Sequence, residues 1–200
     1  MKRIAVFASH GGSNLQAIID GCNSGRVNAE IAVVISNNPD SYALERAKKA
    51  GIPSFCMNRK LNGSILHEEI LRLLTLHDVD IVFLAGYLKK LPDKILKEYK
   101  DRIYNIHPSL LPKFGGRGMF GINVHKAVLE AGEKETGATI HRVAGEYDTG
   151  EIVSKKKVPV LDGDTPETLA KRVLAAEHEL LVETLACLCE KSEAIHTSCD

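Results

Sequence analysis

In the stretch NIHPSLLP, residues 105–112, an amide and an imidazole stand two positions apart and run into a loop stiffened by Pro108 and Pro112. On an extended strand, residues two apart project from the same face, so Asn105 and His107 point together while Ile106 points away. That pairing suits acyl chemistry. When an amine attacks a carbonyl carbon, negative charge grows on oxygen, an amide N–H or an imidazolium can hold it, and a nearby base removes the surplus proton of the amine. A carboxylate that could orient the imidazole and raise its proton affinity is present at Asp148 in EYDTG. Asp-Thr-Gly is also an ordinary turn sequence, and a strand-end Asn and His can be held for structure alone; spacing does not separate these readings.

A second candidate is HGGSN, residues 10–14, between an apolar run and an amphipathic one. At a strand-to-helix junction, backbone N–H groups and the helix dipole favour an anion. Gly11 and Gly12 allow close backbone approach, and Ser13 and Asn14 are expected to cap the helix and donate. The segment is not GxGxxG, and the next apolar run ends in Ser36, Asn37 and Asn38, with no acidic residue to hold a ribose diol, so a nicotinamide dinucleotide is disfavoured. A Walker GK[ST] is absent as well.

The elements that would position these groups follow from hydrophobic patterning. IAVFAS, EIAVVIS and DIVFLAG are solidly apolar and alternate with the amphipathic NLQAIIDGC, ALERAKKA and ILHEEILRLLTLH. Continuous apolar strands imply burial on both faces. The fold class is therefore α/β: a Rossmann-like, mostly parallel, twisted sheet flanked by helices. A short helix is expected around Asp93 to Lys97, and another in NVHKAVLEAG, ending near Gly132. TGATIHRV and EIVSKKKVPV read as a late antiparallel pair joined through EYDTG. A long C-terminal helix follows, with Thr165 as N-cap, Pro166 in its first turn, and a stripe of Leu169, Val173, Leu180, Leu181, Leu185 and Leu188.

The chain has 200 residues with 26 basic and 26 acidic side chains, so there is no global field to attract nucleic acid or an anionic membrane, and a small-molecule partner is favoured. One domain is expected over residues 1–190, with a polar tail at 191–200. No apolar stretch approaches the roughly 20 residues needed to span a bilayer, and the N-terminal apolar run is too short for a signal peptide, so the expected location is cytoplasmic. Five cysteines without a CxxC pair argue against a disulfide framework or structural zinc, and no metal site is expected. His67, His77 and His196 read as surface or packing residues, His178 as a surface residue, His125 and His141 as structural residues within reach of the active loop and of Asn105, and Lys155 to Lys157 as a solvated strand edge.

Taken together, GGSN, LAGYLKKL at 84–91, NIHPSLLP, the YDTG turn and AEH at 176–178 resemble the phosphoribosylglycinamide formyltransferases, a family of folate-dependent formyltransferases, from about Ile4 to about Leu185. The resemblance implies transfer of a formyl group from 10-formyltetrahydrofolate to the amine of 5-phosphoribosylglycinamide in purine synthesis, by a monomer or homodimer. By position, Gly12, Ser13 and Asn14 match the loop holding the substrate phosphate, and Glu177 the acid contacting its ribose. Leu88, Lys89, Lys90 and Leu91 match the folate-lining segment, which Asn105 adjoins. Asn105, His107 and Asp148 match the catalytic trio, and the bond matching Leu111-Pro112 is often cis.

The chain departs from the family pattern at several points. His10 stands where a glycine is common, Ser64 falls near an arginine that contacts folate in some members, Lys89 replaces a frequent arginine, and FGGRGMFGINVH is longer than in many relatives. Methionyl-tRNA formyltransferases add a further C-terminal domain, formyltetrahydrofolate hydrolases an N-terminal one, and neither is read here. A binding module that has lost turnover is the remaining alternative.

Overall fold

Ile4 to Ala8 and Val33 to Ile35 are without solvent exposure, which the solid apolar runs foretell. The computed structural model describes residues 1–190, and the expected polar tail lies outside the described residues. Five parallel strands, β1 (Lys2–Phe7), β2 (Ala29–Ser36), β3 (Ser54–Cys56), β4 (Ile81–Leu84) and β5 (Ile103–His107), are extended by two antiparallel ones, β6 (Glu135–Arg142) and β7 (Ile152–Pro159), in the order β3-β2-β1-β4-β5-β6-β7. The late pair thus joins the sheet beside β5, with Asn105 opposite His141 and His107 opposite Thr139.

Seven α-helices flank the sheet among the described residues: α1 (Ser13–Asn23), α2 (Tyr42–Lys49), α3 (Arg59–Asn62), α4 (Leu66–Leu76), α5 (Asp93–Glu98), α6 (Ile122–Glu130) and α7 (Pro166–Glu190). Alternation along β1 sorts its side chains to two cores. Ile4, Val6 and Ala8 pack with α1 and α7, while Ala5 and Phe7 pack with α4 and α5. Of the stripe expected on α7, Leu169, Val173, Leu180, Leu181 and Leu185 are buried and Leu188 is half-buried, and the start of the helix is capped as read: Thr165 Oγ1 accepts from Thr168 N at 3.3 Å. Asp164 accepts from both terminal nitrogens of Arg172, at 2.7 and 2.8 Å, and ties the second turn of α7 to its approach.

Four details differ from the sequence reading. A short α3 precedes α4 because Asn58 caps it, its side chain accepting from Leu61 N at 3.0 Å, a local signal too brief for periodicity to reveal. On α1 neither Ser13 nor Asn14 is the cap: Gly12 takes that position in the left-handed region at φ 67, and Asn14 is turned inward on the helix. The lysine run is anchored rather than merely solvated, since Lys155 Nζ donates to the Leu111 carbonyl and Lys156 Nζ pairs with Glu179 at 2.7 Å. His178 is half-buried, its Nε2 shielded and without a partner, because α7 is flanked by α1.

Gly137 on β6 is required by the closeness of β7: a Cβ there would collide with the Lys156 carbonyl and lie 2.9 Å from Leu110 Cδ2. Replacing Gly137 with Ala is expected to cost about 1–3 kcal/mol by overpacking, read as a lower urea midpoint; an unchanged midpoint would show that the two strands can separate freely.

Candidate active site

β5 ends at the top of the sheet, where open α/β sheets place their ligands, and it delivers Asn105 and His107 to one face as their spacing requires. Asp148 arrives from the connection between β6 and β7, residues 143–151, which is longer than a tight hairpin. Its carboxylate sits among four groups. Oδ1 accepts from Asn105 Nδ2 at 3.3 Å and lies 3.5 Å from His141 Nε2. Oδ2 accepts from Gly116 N at 2.8 Å and lies 3.5 Å from His107 Nδ1. Asp148, at φ 56, takes a backbone conformation in which Asp is among the few tolerated side chains. Gly150 follows because a Cβ there would strike the Arg142 carbonyl.

The tautomers follow from the backbone. His107 Nε2 donates to the Phe114 carbonyl at 2.8 Å, so the neutral ring presents a bare Nδ1 to Asp148. His141 Nδ1 donates to the Arg142 carbonyl at 2.9 Å, so its bare Nε2 accepts from Asn105 Nδ2 at 3.1 Å. Both amide hydrogens of Asn105 are thereby engaged, which fixes which way the amide points. Burial pushes His107 below the usual imidazole range, more than the Asp148 charge and the Phe114 carbonyl restore it. For Asp148 the balance is the reverse: burial would raise its carboxyl, but His141, His107 and the Gly116 N–H together hold it below the usual carboxylate range. The centre therefore holds an ionised carboxylate against a neutral imidazole at neutral pH.

The same cleft, about 520 Å³, is lined by Asn14 and Glu177 on one side and by Leu88, Lys89, Lys90 and Leu91 on another. It brings together all the expected residues except Gly12 and Ser13, which lie just behind Asn14 at the start of α1. Burial pushes the Glu177 carboxyl up to about 7, and the nearby Asn14 amide offsets this only in part. Asn14 Oδ1 is buried without a partner. Lys90 Nζ reaches Glu146 at 2.7 Å, linking the Leu88–Leu91 wall to the connection that carries Asp148. The Leu111-Pro112 bond is cis. Among the described residues, no group of three or more His, Cys, Asp or Glu side chains is placed to share a metal ion.

The family model for formyl transferases matches residues 2–185. The chain belongs to the formyl transferase family. Within that family it is 46% identical over 193 residues to the chloroplastic phosphoribosylglycinamide formyltransferase of Arabidopsis thaliana, an alignment covering 95% of this chain and 66% of that protein, so the chain spans just under two thirds of that relative's length. It is 43% identical over 182 residues to the phosphoribosylglycinamide formyltransferase of Haemophilus influenzae, covering 90% of this chain and 84% of that one. The crystal structure of glycinamide ribonucleotide transformylase 1 from Symbiobacterium toebii superposes with a TM-score of 0.89 at 41% identity, over 96% of this chain and 89% of that one.

Several groups that build the centre around Asp148 escape sequence reasoning. The Phe114 carbonyl and Gly116 N–H act through backbone, which carries no residue-type signal. Ser9 is fully buried and ties three strand ends together: its Oγ donates to Asn37 Oδ1 at 2.6 Å and accepts from Leu88 N at 2.9 Å, while its N donates to the Gly86 carbonyl at 3.1 Å. Its place directly after β1 is the one available hint. His141, read as structural but near Asn105, contacts both Asn105 and Asp148.

Glu177 gives a stability test with a definite sign. Because its carboxyl stays protonated in the fold up to about 7 but ionises near 4.5 when exposed, unfolding releases a proton between those values. Stability contributed by the neutral form is complete below the lower value and is lost as pH rises toward the upper one, by on the order of 3 kcal/mol. Glu177→Gln is therefore expected to be more stable than the parent at pH 8 and not at pH 4, by urea unfolding at both. An equal offset at the two pH values would remove buried ionisation as the cause.

Proposed function

We propose that the protein transfers the formyl group of 10-formyltetrahydrofolate to the amine of 5-phosphoribosylglycinamide, as a step of purine synthesis carried out by one domain over residues 1–190. The observation that carries this reading is the Asp148 carboxylate set between His107 and Asn105 in a cleft that also holds Asn14 and Glu177. The names of the relatives support the same acceptor. The ribonucleotide's phosphate would lie on the backbone of Gly12, Ser13 and Asn14 at the α1 N-terminus, its ribose against Glu177, and the folate along Leu88 to Leu91.

In this reading the amine nitrogen attacks the formyl carbon, a C–N bond forms, and the formyl oxygen becomes an oxyanion. The amide hydrogen of Asn105 directed at Asp148, the longer of its two bonds, turns to that oxygen as charge develops. Asp148 is ionised and takes the surplus proton of the amine, directly or through water. His107, fixed by Phe114 with its bare Nδ1 toward Asp148, shares that same proton with the carboxylate, so positive charge on the imidazole beside the oxyanion comes from the proton the amine has given up. The C–N bond to the folate then breaks, and the proton passes to the departing folate nitrogen. Reaction through these groups requires no metal step.

Formyl transfer from 10-formyltetrahydrofolate to glycinamide ribonucleotide, followed by release of the deformylated folate, tests the proposal. His107→Ala is expected to lower kcat by about 10²–10⁴-fold while ligand affinity changes little; equal losses in rate and binding would remove His107 from the transition state. Absence of transfer by the parent, with folate still bound, would point to another amine acceptor or to a binding module.

Asp148→Asn generates a separate expectation. It removes the charge that counteracts the desolvation of His107, so the limb of the pH-rate profile governed by His107 should move to lower pH. A superimposable profile would exclude Asp148 from the proton chemistry.

A further inference from the structure

A trans peptide is planar, with its C=O and N–H directed oppositely, so whatever holds a carbonyl also aims the next residue's N–H. In the loop before α1, two successive carbonyls are held by α2 and its approach. The His10 carbonyl accepts from Ser41 Oγ at 2.7 Å and from Ala43 N at 3.1 Å, and the Gly11 carbonyl accepts from Arg46 Nε at 2.9 Å. The Gly11 and Gly12 N–H groups consequently face away from α2. Arg46 is fixed in turn: its Nη1 donates to Gln16 Oε1 at 2.9 Å, and its guanidinium lies 4.9 Å from the Tyr42 ring centroid. The contact is close on the other side as well, since a Cβ on Gly12 would lie 2.8 Å from that of Ala43.

A second observation shows that this end of the cleft is built for a ligand. Asn14, the next residue but one, is buried against the cleft with Oδ1 unpartnered, an acceptor left for a ligand hydroxyl of the kind a phosphorylated sugar carries. We propose that Arg46 is a positioning residue for the phosphate of the acceptor: by fixing the Gly11 carbonyl, and with Ser41 fixing that of His10, it holds the Gly11 and Gly12 N–H groups on the phosphate side. This role rests on the functional reading above, which places the phosphate on this loop. Arg46 itself does not touch the anion. Its guanidinium is spent on carbonyl and amide oxygens, so the substrate-facing surface stays neutral backbone with the helix dipole behind it.

The test is steady-state kinetics of Arg46→Ala and Arg46→Lys with both substrates varied, together with inhibition by inorganic phosphate competing with the acceptor. For Arg46→Ala, the acceptor KM and the phosphate inhibition constant should each rise about tenfold, as for loss of a charge-assisted bond. The folate KM should stay within about twofold and kcat fall less than about threefold. Arg46→Lys, which can keep one bond to the Gly11 carbonyl, should recover part of the loss. Should Arg46→Ala fail to fold, Arg46→Lys and Ser41→Ala carry the test, each weakening phosphate inhibition selectively. Acceptor KM and phosphate inhibition within about twofold of the parent, or equal losses for both substrates, would overturn the proposal. If the parent transfers no formyl group to the ribonucleotide but phosphate still binds the variant more weakly, the functional reading falls and the positioning role stands.

Discussion

A carboxylate removed from water is costly unless its oxygens are supplied with donors, and at Asp148 that requirement fixes much of the surrounding architecture. Donors or rings reach it from β5 (Asn105, His107), from β6 (His141) and from the backbone at Gly116. They converge only if β5 and β6 are neighbours in one register, if residues 143–151 fold back over them, and if the 113–116 turn closes against the same carboxylate. Gly115 and Gly150 are the residues that permit the approach, one packed on Leu111 and Asp148, the other on the Arg142 carbonyl. The left-handed backbone at Asp148 and Phe114 is a cost of about 1 kcal/mol or more each, accepted where the surrounding bonds leave no alternative.

The loop that follows β5 is held to the sheet by polar ties rather than by apolar packing alone. Thr139 Oγ1 donates to the Ser109 carbonyl at 2.7 Å and accepts from Leu111 N at 3.1 Å, and Ser109 Oγ donates to the Lys113 carbonyl at 2.7 Å. Lys155 reaches the Leu111 carbonyl from β7. Because Thr139 pairs with His107 across the strands, one residue of β6 both backs the imidazole and anchors the turn whose Phe114 carbonyl sets its tautomer. The orientation of His107 is thus a consequence of sheet register, not of a flexible side chain finding its partner.

Much of this was legible in the residues, and the limits are physical. Strands β1, β2 and β4 announce themselves because burial on both faces demands continuous apolar sequence, and α7 because its cap and stripe agree. Asn105 and His107 could be paired from a period of two. Asp148 could not be assigned, since a turn and a buried ligand for imidazole use the same residue type, and only the fold brings positions 43 residues apart into contact. The expected cap at Ser13 was wrong for a related reason. Gly12 enters the helix through the left-handed conformation, which a glycine takes without the steric cost a side chain would add, and this frees Asn14 to turn into the cleft. Backbone donors and acceptors such as Gly116 and Phe114 leave no trace in residue identity at all.

The two ends of the cleft differ in how completely their polar groups are satisfied, and the difference matches what each has to do. Around Asp148 both hydrogens of the Asn105 amide and both oxygens of the carboxylate have partners, so the groups are held in place before any ligand arrives, and the rearrangement the proposed reaction needs is the turn of one Asn105 hydrogen from Asp148 to the oxyanion. At the other end Asn14 Oδ1 is buried without a partner, and Glu177 is buried with its carboxyl forced toward the neutral form. Unsatisfied buried polar groups cost stability, and a protein keeps them where something else completes them. A ligand that supplies hydroxyls and an anion there recovers that cost on binding, while one lacking them leaves it standing. On the proposed reading, selectivity for a phosphorylated, hydroxyl-bearing acceptor comes from the incomplete end, and the fixed geometry of the reacting groups from the complete one.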